Sequence, residues 1–131
     1  ATLLAVAPSS GAGAAIVSEV KSGGFLSSSI GSAGQHADLL TIACGGSRNP
    51  ATPDTVKTKG HYLQMNGGEV FKLAVRGMAD SVEKALAKAK AKPEDIACFV
   101  PHQANLRIID AVAERLSLVK GKIFINLQKF S

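Results

Sequence analysis

The chain has 131 residues, enough for one domain built on a single core and too few for two comfortable ones. Hydrophobic residues make up 46% and charged residues 19%, which excludes a chain that stays disordered through high charge and low apolar content. A formal net charge of +5 favours an acidic partner, and no apolar run approaches the roughly 18 residues needed to cross a bilayer.

In chain order, Leu3 to Ala7 is a continuous apolar run that ends at Pro8-Ser9-Ser10-Gly11, and Gly13 to Val17 is a second. Both read as buried strands joined by a tight turn. The first has no basic flank and is not expected to be a secretory signal. From Lys21 to Asp38 glycine and serine dominate, so irregular structure is expected there, with room for one short strand. Gly45 to Asp54 is loop chemistry throughout and belongs on the surface.

The strongest helix signal begins at Glu69. Val70, Phe71, Ala74, Val75, Met78, Val82, Ala85, Leu86 and Ala89 recur on one face, and this predicts a helix to about Lys90. Lys84, Lys88, Lys90 and Lys92 lie along the same stretch as either a solvated face or a partner surface. Pro93-Glu94-Asp95 breaks the helix, and Ile96 to Val100 reads as a central parallel strand. Asn105 to Leu116 is again helical through Leu106, Ile109, Val112, Ala113 and Leu116, and Lys122 to Asn126 is another strand. The order helix, strand, helix, strand predicts an α/β fold with a right-handed crossover between parallel strands.

The two cysteines, Cys44 and Cys98, have no CxxC spacing and no histidine cluster beside them. This argues against zinc and for a reducing compartment. Cys98 is expected to be a small core hydrophobe, and Cys44 to be structural or incidental. His36 and His61 sit in loop-like surroundings and read as surface residues. His102 differs, because it follows a predicted buried strand and Pro101 and stands just before an amphipathic helix. In open α/β sheets that edge is where ligands bind. A histidine there suits proton transfer or donation to a developing oxyanion, and position alone also allows a structural role.

The segment Phe99-Val100-Pro101-His102-Gln103-Ala104-Asn105-Leu106-Arg107-Ile108-Ile109-Asp110 resembles, nearly letter for letter, the one that holds the catalytic histidine of the 3-oxoacyl-(acyl-carrier-protein) synthase III family. Tyr62-Leu63-Gln64-Met65-Asn66-Gly67-Gly68-Glu69-Val70-Phe71-Lys72 is similar to a second motif of that family, and Gly11-Ala12-Gly13-Ala14 to the tail of a third. The resemblance implies a layered thiolase-like half with mostly parallel strands and packed helices. Residues 1–131 would be the C-terminal half of a condensing enzyme, incomplete at both ends.

It further implies a decarboxylating Claisen condensation of acetyl-CoA with malonyl-acyl carrier protein through an acyl-cysteine. His102 would be the catalytic histidine, donating to the thioester oxygen as a neutral group, which a buried setting would favour. Asn66, Gly67 and Gly68 would line a pantetheine channel, with glycine allowing close backbone approach. Lys72 and Arg107, extended by Arg115, would form a basic patch for an acidic carrier. Phe71, Gln103, Ala104 and Asn105 complete the implied substrate, CoA and carrier-binding set. Solvated helix charges are the plainer reading of Lys72 and Arg107.

The same resemblance implies no metal and no bound cofactor, a homodimer, acyl carrier protein and acyl-CoA as partners, and a cytoplasmic location, or a plastid one for a plant source. Three departures matter. The family's nucleophilic cysteine lies upstream of anything present, so neither Cys44 nor Cys98 fills its place. The family's catalytic asparagine follows in an Asn-Thr-Ser-Ala motif beyond Phe130-Ser131, and Asn126 is not that residue. Ser9-Ser10 replace a usual Gly-Asp, and Gly68 stands where the family often has another residue. A noncatalytic module that keeps a carrier or CoA-binding surface is therefore the second expectation. A nucleic-acid binder has no support, since one tyrosine and five phenylalanines show no interleaving with basic residues. An isolated half should also expose an apolar face and associate.

Overall fold

The computed structural model describes residues 18–130, without the side chains of residues 129 and 130. The predicted strands at Leu3–Ala7 and Gly13–Val17 and the motif Gly11–Ala14 lie outside the described residues. Although the sequence reads as a single unit, the chain divides into two compact ones: Gly31–Ala74, and the residues up to Ile30 together with those from Val75 on. Each has its own packing, and each is described by itself.

In the unit Gly31–Ala74, a 3-10 turn at Gly34–Leu39 leads into strand β1, Leu40–Ile42. This pairs antiparallel with β2, Leu63–Met65, in the register Leu40 with Met65, Thr41 with Gln64 and Ile42 with Leu63. Neither strand was foreseen, and residues 21–38, where one was, hold none. Between the two strands lies the expected surface loop, followed by helix α1, Pro53–Lys57. Proline presets the first helical dihedral. Thr52 caps α1 by accepting from the Thr55 amide at 3.2 Å, while Thr55 Oγ1 accepts from the Thr52 amide at 2.8 Å.

Cys44 is the buried side chain of this unit. Its amide donates to the Gly60 carbonyl at 3.0 Å, and its Sγ accepts from Asn49 Nδ2 at 3.1 Å. It is structural, as expected. Gly60 is required by this contact, because a Cβ there would stand 2.6 Å from Cys44 Sγ and 3.3 Å from the Thr55 carbonyl oxygen. Gly60→Ala should lower stability by about 1–3 kcal/mol through overpacking, read as a lower urea midpoint. Adding Cys44→Ala should recover part of that loss, because it removes the sulfur that clashes.

Helix α2, Gly67–Ala89, starts and ends within about two residues of its predicted limits. Every residue assigned to its apolar face is at least half-buried, and the fully buried residue of the helix is Ala79, which was not among those assigned. Glu69 lies in the first turn and Lys88 in the last, both favourable to the helix dipole.

In the other unit, α2 closes at Lys90, with φ 54°, and helix α3, Leu106–Arg115, closes in the same way at Ser117, with φ 53°. The Ala91 amide returns to the Leu86 carbonyl at 3.0 Å and the Leu118 amide to the Ala113 carbonyl at 2.9 Å, which satisfies carbonyls that the helix ends would leave open. The core joins Ala79 of α2, Val112 and Leu116 of α3, and Phe99 from the segment between the helices. Val75, Met78, Val82, Ile96, Ile108, Leu118 and Ile123 pack around it. A last helix, α4, spans Leu127–Phe130.

The two strands expected at 96–100 and 122–126 shrink to one parallel bridge, Phe99 with Ile123. The Phe99 amide donates to the Lys122 carbonyl at 2.7 Å, and the Phe124 amide to the Phe99 carbonyl at 2.8 Å. Pairing is parallel, as expected, but brief. Cys98 corrects the expectation of a core residue: it is exposed. Side chains alternate across an extended segment; with Phe99 turned into the helix-lined core, Cys98 faces a side that no described element covers.

Candidate functional site

The residues singled out from the sequence fall into the two units. His102, Gln103, Ala104, Asn105 and Arg107 form the connection from the parallel bridge into α3, and Asn66, Gly67, Gly68, Phe71 and Lys72 form the start of α2 in the unit Gly31–Ala74.

The first group is built by its neighbours. Phe99 anchors the bridge, Pro101 is buried directly after it, and the chain then turns outward. His102 is exposed. Nothing among the described residues lies over the open end of the bridge, so the imidazole meets solvent. Asn105 accepts from the Arg107 amide at 2.9 Å and is the N-cap of α3. Arg107 is exposed in the first turn, and Arg115 in the last turn is paired with Asp80 at 2.9 Å.

Gln103 is the most engaged of these side chains. Its Nε2 donates to the Pro101 carbonyl at 3.0 Å and to the Phe124 carbonyl at 3.1 Å, while its Oε1 accepts from the Asn126 amide at 3.0 Å. Two carbonyl acceptors and one amide donor fit only one orientation of the carboxamide. Sequence reasoning placed Gln103 among ligand contacts and missed this role. The partners lie 21 and 23 residues away.

In the second group, the Asn66 amide donates to the Leu39 carbonyl at 2.9 Å, and its Oδ1 accepts from the Glu69 amide at 3.3 Å, capping α2. Gly67 and Gly68 adopt no positive φ, and a Cβ at either would meet nothing nearer than 3.9 Å. Local packing therefore does not demand glycine at the start of a helix, where it costs stability relative to alanine. Phe71 is half-buried, and Lys72 is exposed and bonded to Glu69 at 2.8 Å, a surface pair of small energetic weight.

His36 and His61 are exposed, as expected. No group of three or more His, Cys, Asp or Glu among the described residues could hold a metal ion, and no helix among them is long and apolar enough to cross a membrane. An open depression bordered by Thr41, Ile42, Arg48 and Asn49 holds none of the residues singled out above.

Residues 86–131 match the family model described as 3-oxoacyl-(acyl-carrier-protein) synthase III C terminal. A beta-ketoacyl-(acyl-carrier-protein) synthase III of Natranaerobius thermophilus is 48% identical over 124 residues, covering 92% of this chain and 38% of that protein. The crystal structure of the Thermus thermophilus synthase III superposes with a TM-score of 0.68 at 46% identity, over 82% of this chain and 32% of that one. The Aquifex aeolicus synthase III gives 0.63 at 37% identity, over 81% and 30%. The fold class is therefore α/β of the thiolase-like condensing type. Within that class the chain belongs to the 3-oxoacyl-(acyl-carrier-protein) synthase III family, where it corresponds to the C-terminal part. It spans a little over a third of the length of the curated relatives it matches.

Proposed function

We propose that the chain works as the C-terminal part of an initiating condensing enzyme of fatty-acid synthesis, an acyltransferase whose nucleophilic cysteine comes from another part of the same protein. The observation that carries this reading is His102, held at the end of a parallel bridge and the start of α3 in a segment that matches the family's catalytic histidine motif. The cysteine thiolate attacks the acetyl-CoA carbonyl and expels the CoA thiolate. Malonyl-acyl carrier protein then loses carbon dioxide, its bonding electrons remain as an enolate, and the enolate carbon attacks the acyl-cysteine. The cysteine thiolate leaves and 3-oxoacyl-carrier protein is formed.

His102 donates a hydrogen bond to the thioester oxygen while enolate charge develops there, together with an asparagine from the Asn-Thr-Ser-Ala motif. Gly67 and Gly68 leave room for a pantetheine arm to pass close to the backbone, which explains glycines that local packing does not require. Arg107 and Lys72 offer positive charge to an acidic carrier protein and speed its encounter. The working protein is a cytoplasmic homodimer, and the remainder of each subunit covers His102.

The test is turnover by the protein encoded in full, given acetyl-CoA and malonyl-acyl carrier protein. Carbon dioxide and 3-oxoacyl-carrier protein should appear in equal amounts, and residues 1–131 alone should give neither. Saturable carrier binding without either product from the full protein would replace this reading with that of a noncatalytic binding module.

A further inference from the structure

The pairing of the segments on either side of α3 stops after one bridge, yet the His102 turn must keep a fixed place beyond it. Backbone hydrogen bonds end at the Phe124 amide and the Phe99 carbonyl. From there the only direct ties between the two segments among the described residues run through one side chain. Gln103 receives the Asn126 amide and gives its two N–H groups to the Pro101 and Phe124 carbonyls. These partners flank His102 on one segment and lead into α4 on the other.

We propose that Gln103 is a positioning residue. Its carboxamide continues the parallel pairing where the backbone ladder ends, and so fixes the His102 turn against residues 124–126. It does not contact substrate, because both N–H groups and one lone pair of the amide are already engaged. The part of this inference that concerns catalysis rests on the synthase reading; the clamp itself does not. A single backbone bridge constrains two segments weakly; two further hydrogen bonds across them, to Phe124 and Asn126, and a third to Pro101 on the same segment, all from a half-buried side chain, hold the imidazole within the tolerance that general-acid or oxyanion geometry demands.

The substitution Gln103→Met keeps the length and removes all three bonds, while Gln103→Glu keeps the acceptor for Asn126 and loses both donors. In the full protein, the Asn126 amide should exchange with solvent at least about ten times faster in Gln103→Met, and less so in Gln103→Glu. The ring signals of His102 should shift in both. Malonyl decarboxylation should fall on the order of 10- to 100-fold in kcat, with KM for the malonyl carrier within about threefold. Acetyl transfer from CoA to the enzyme thiol should be nearly unchanged.

If the Met variant does not fold, the Glu variant carries the same comparison. Unchanged Asn126 exchange and unchanged His102 signals would overturn the proposal, as would an effect confined to KM. Absent decarboxylation in the unsubstituted protein would instead overturn the synthase reading, and exchange and ring signals would still decide whether Gln103 is a clamp.

Discussion

His102→Ala in the full protein should lower malonyl decarboxylation on the order of 100- to 1000-fold, corresponding to about 3–4 kcal/mol for the loss of one preorganised donor to an oxyanion. Acetylation of the thiol by acetyl-CoA should persist within about tenfold, because the histidine acts on the second half-reaction, in which enolate charge appears. The two half-reactions can be read separately, the first by thioester formation on the enzyme and the second by carbon dioxide release. Loss of acetylation with intact decarboxylation would refute the assigned role. Stability should change little, since His102 makes no hydrogen bond among the described residues. That contrast separates a chemical effect from a folding one.

The fold was legible wherever a period was long and one-sided. Twenty-three residues of α2 and ten of α3 carry the helical repeat through several turns; the positions named from it are half-buried in α2, whose one fully buried residue, Ala79, was not among them, and buried in α3. Leu106 is the exception. It opens α3 at 40% exposure, because the first residue of a helix can fit the period and still lie beyond the core.

Strands fared worse for a physical reason. Strands β1 and β2 are three residues each, five of the six residues are exposed, and so neither shows an alternating stripe. The segments at 96–100 and 122–126 read as strands because of their short apolar runs, Ile96 to Val100 and Ile123 to Ile125, yet only the Phe99 side has helices to pack against.

The candidate site was legible by its wording and not by its geometry. Asn66 and Asn105 read as ligand contacts, and both cap a helix. A cap and a ligand contact use the same side chain at the same position, so sequence cannot separate them. His102 was identified correctly as the end of a parallel segment, but its exposure depends on what covers it. Gln103 gave no local signal, since a clamp between residues some twenty positions apart leaves no trace in spacing.

Phe99→Ala should be the most destabilising single change in the second unit, at about 3–5 kcal/mol. Phe99 is 7% exposed and shares its core with Ala79, Val112 and Leu116. Removing the ring opens a cavity between two helices whose small and branched side chains cannot collapse far enough to fill it. Against a usual total of about 5–15 kcal/mol, that loss should shift the urea midpoint strongly, as followed by far-ultraviolet circular dichroism of α2 and α3. Phe99→Leu should cost less, because most of the volume remains. Cys98→Ala, one residue earlier and exposed, should change the stability by no more than about 0.5 kcal/mol. Equal losses at 98 and 99 would mean that both faces of this segment are covered. The same change at Phe99 should also loosen the bridge to Ile123, so decarboxylation should fall with stability even though the substituted ring lies three residues from His102.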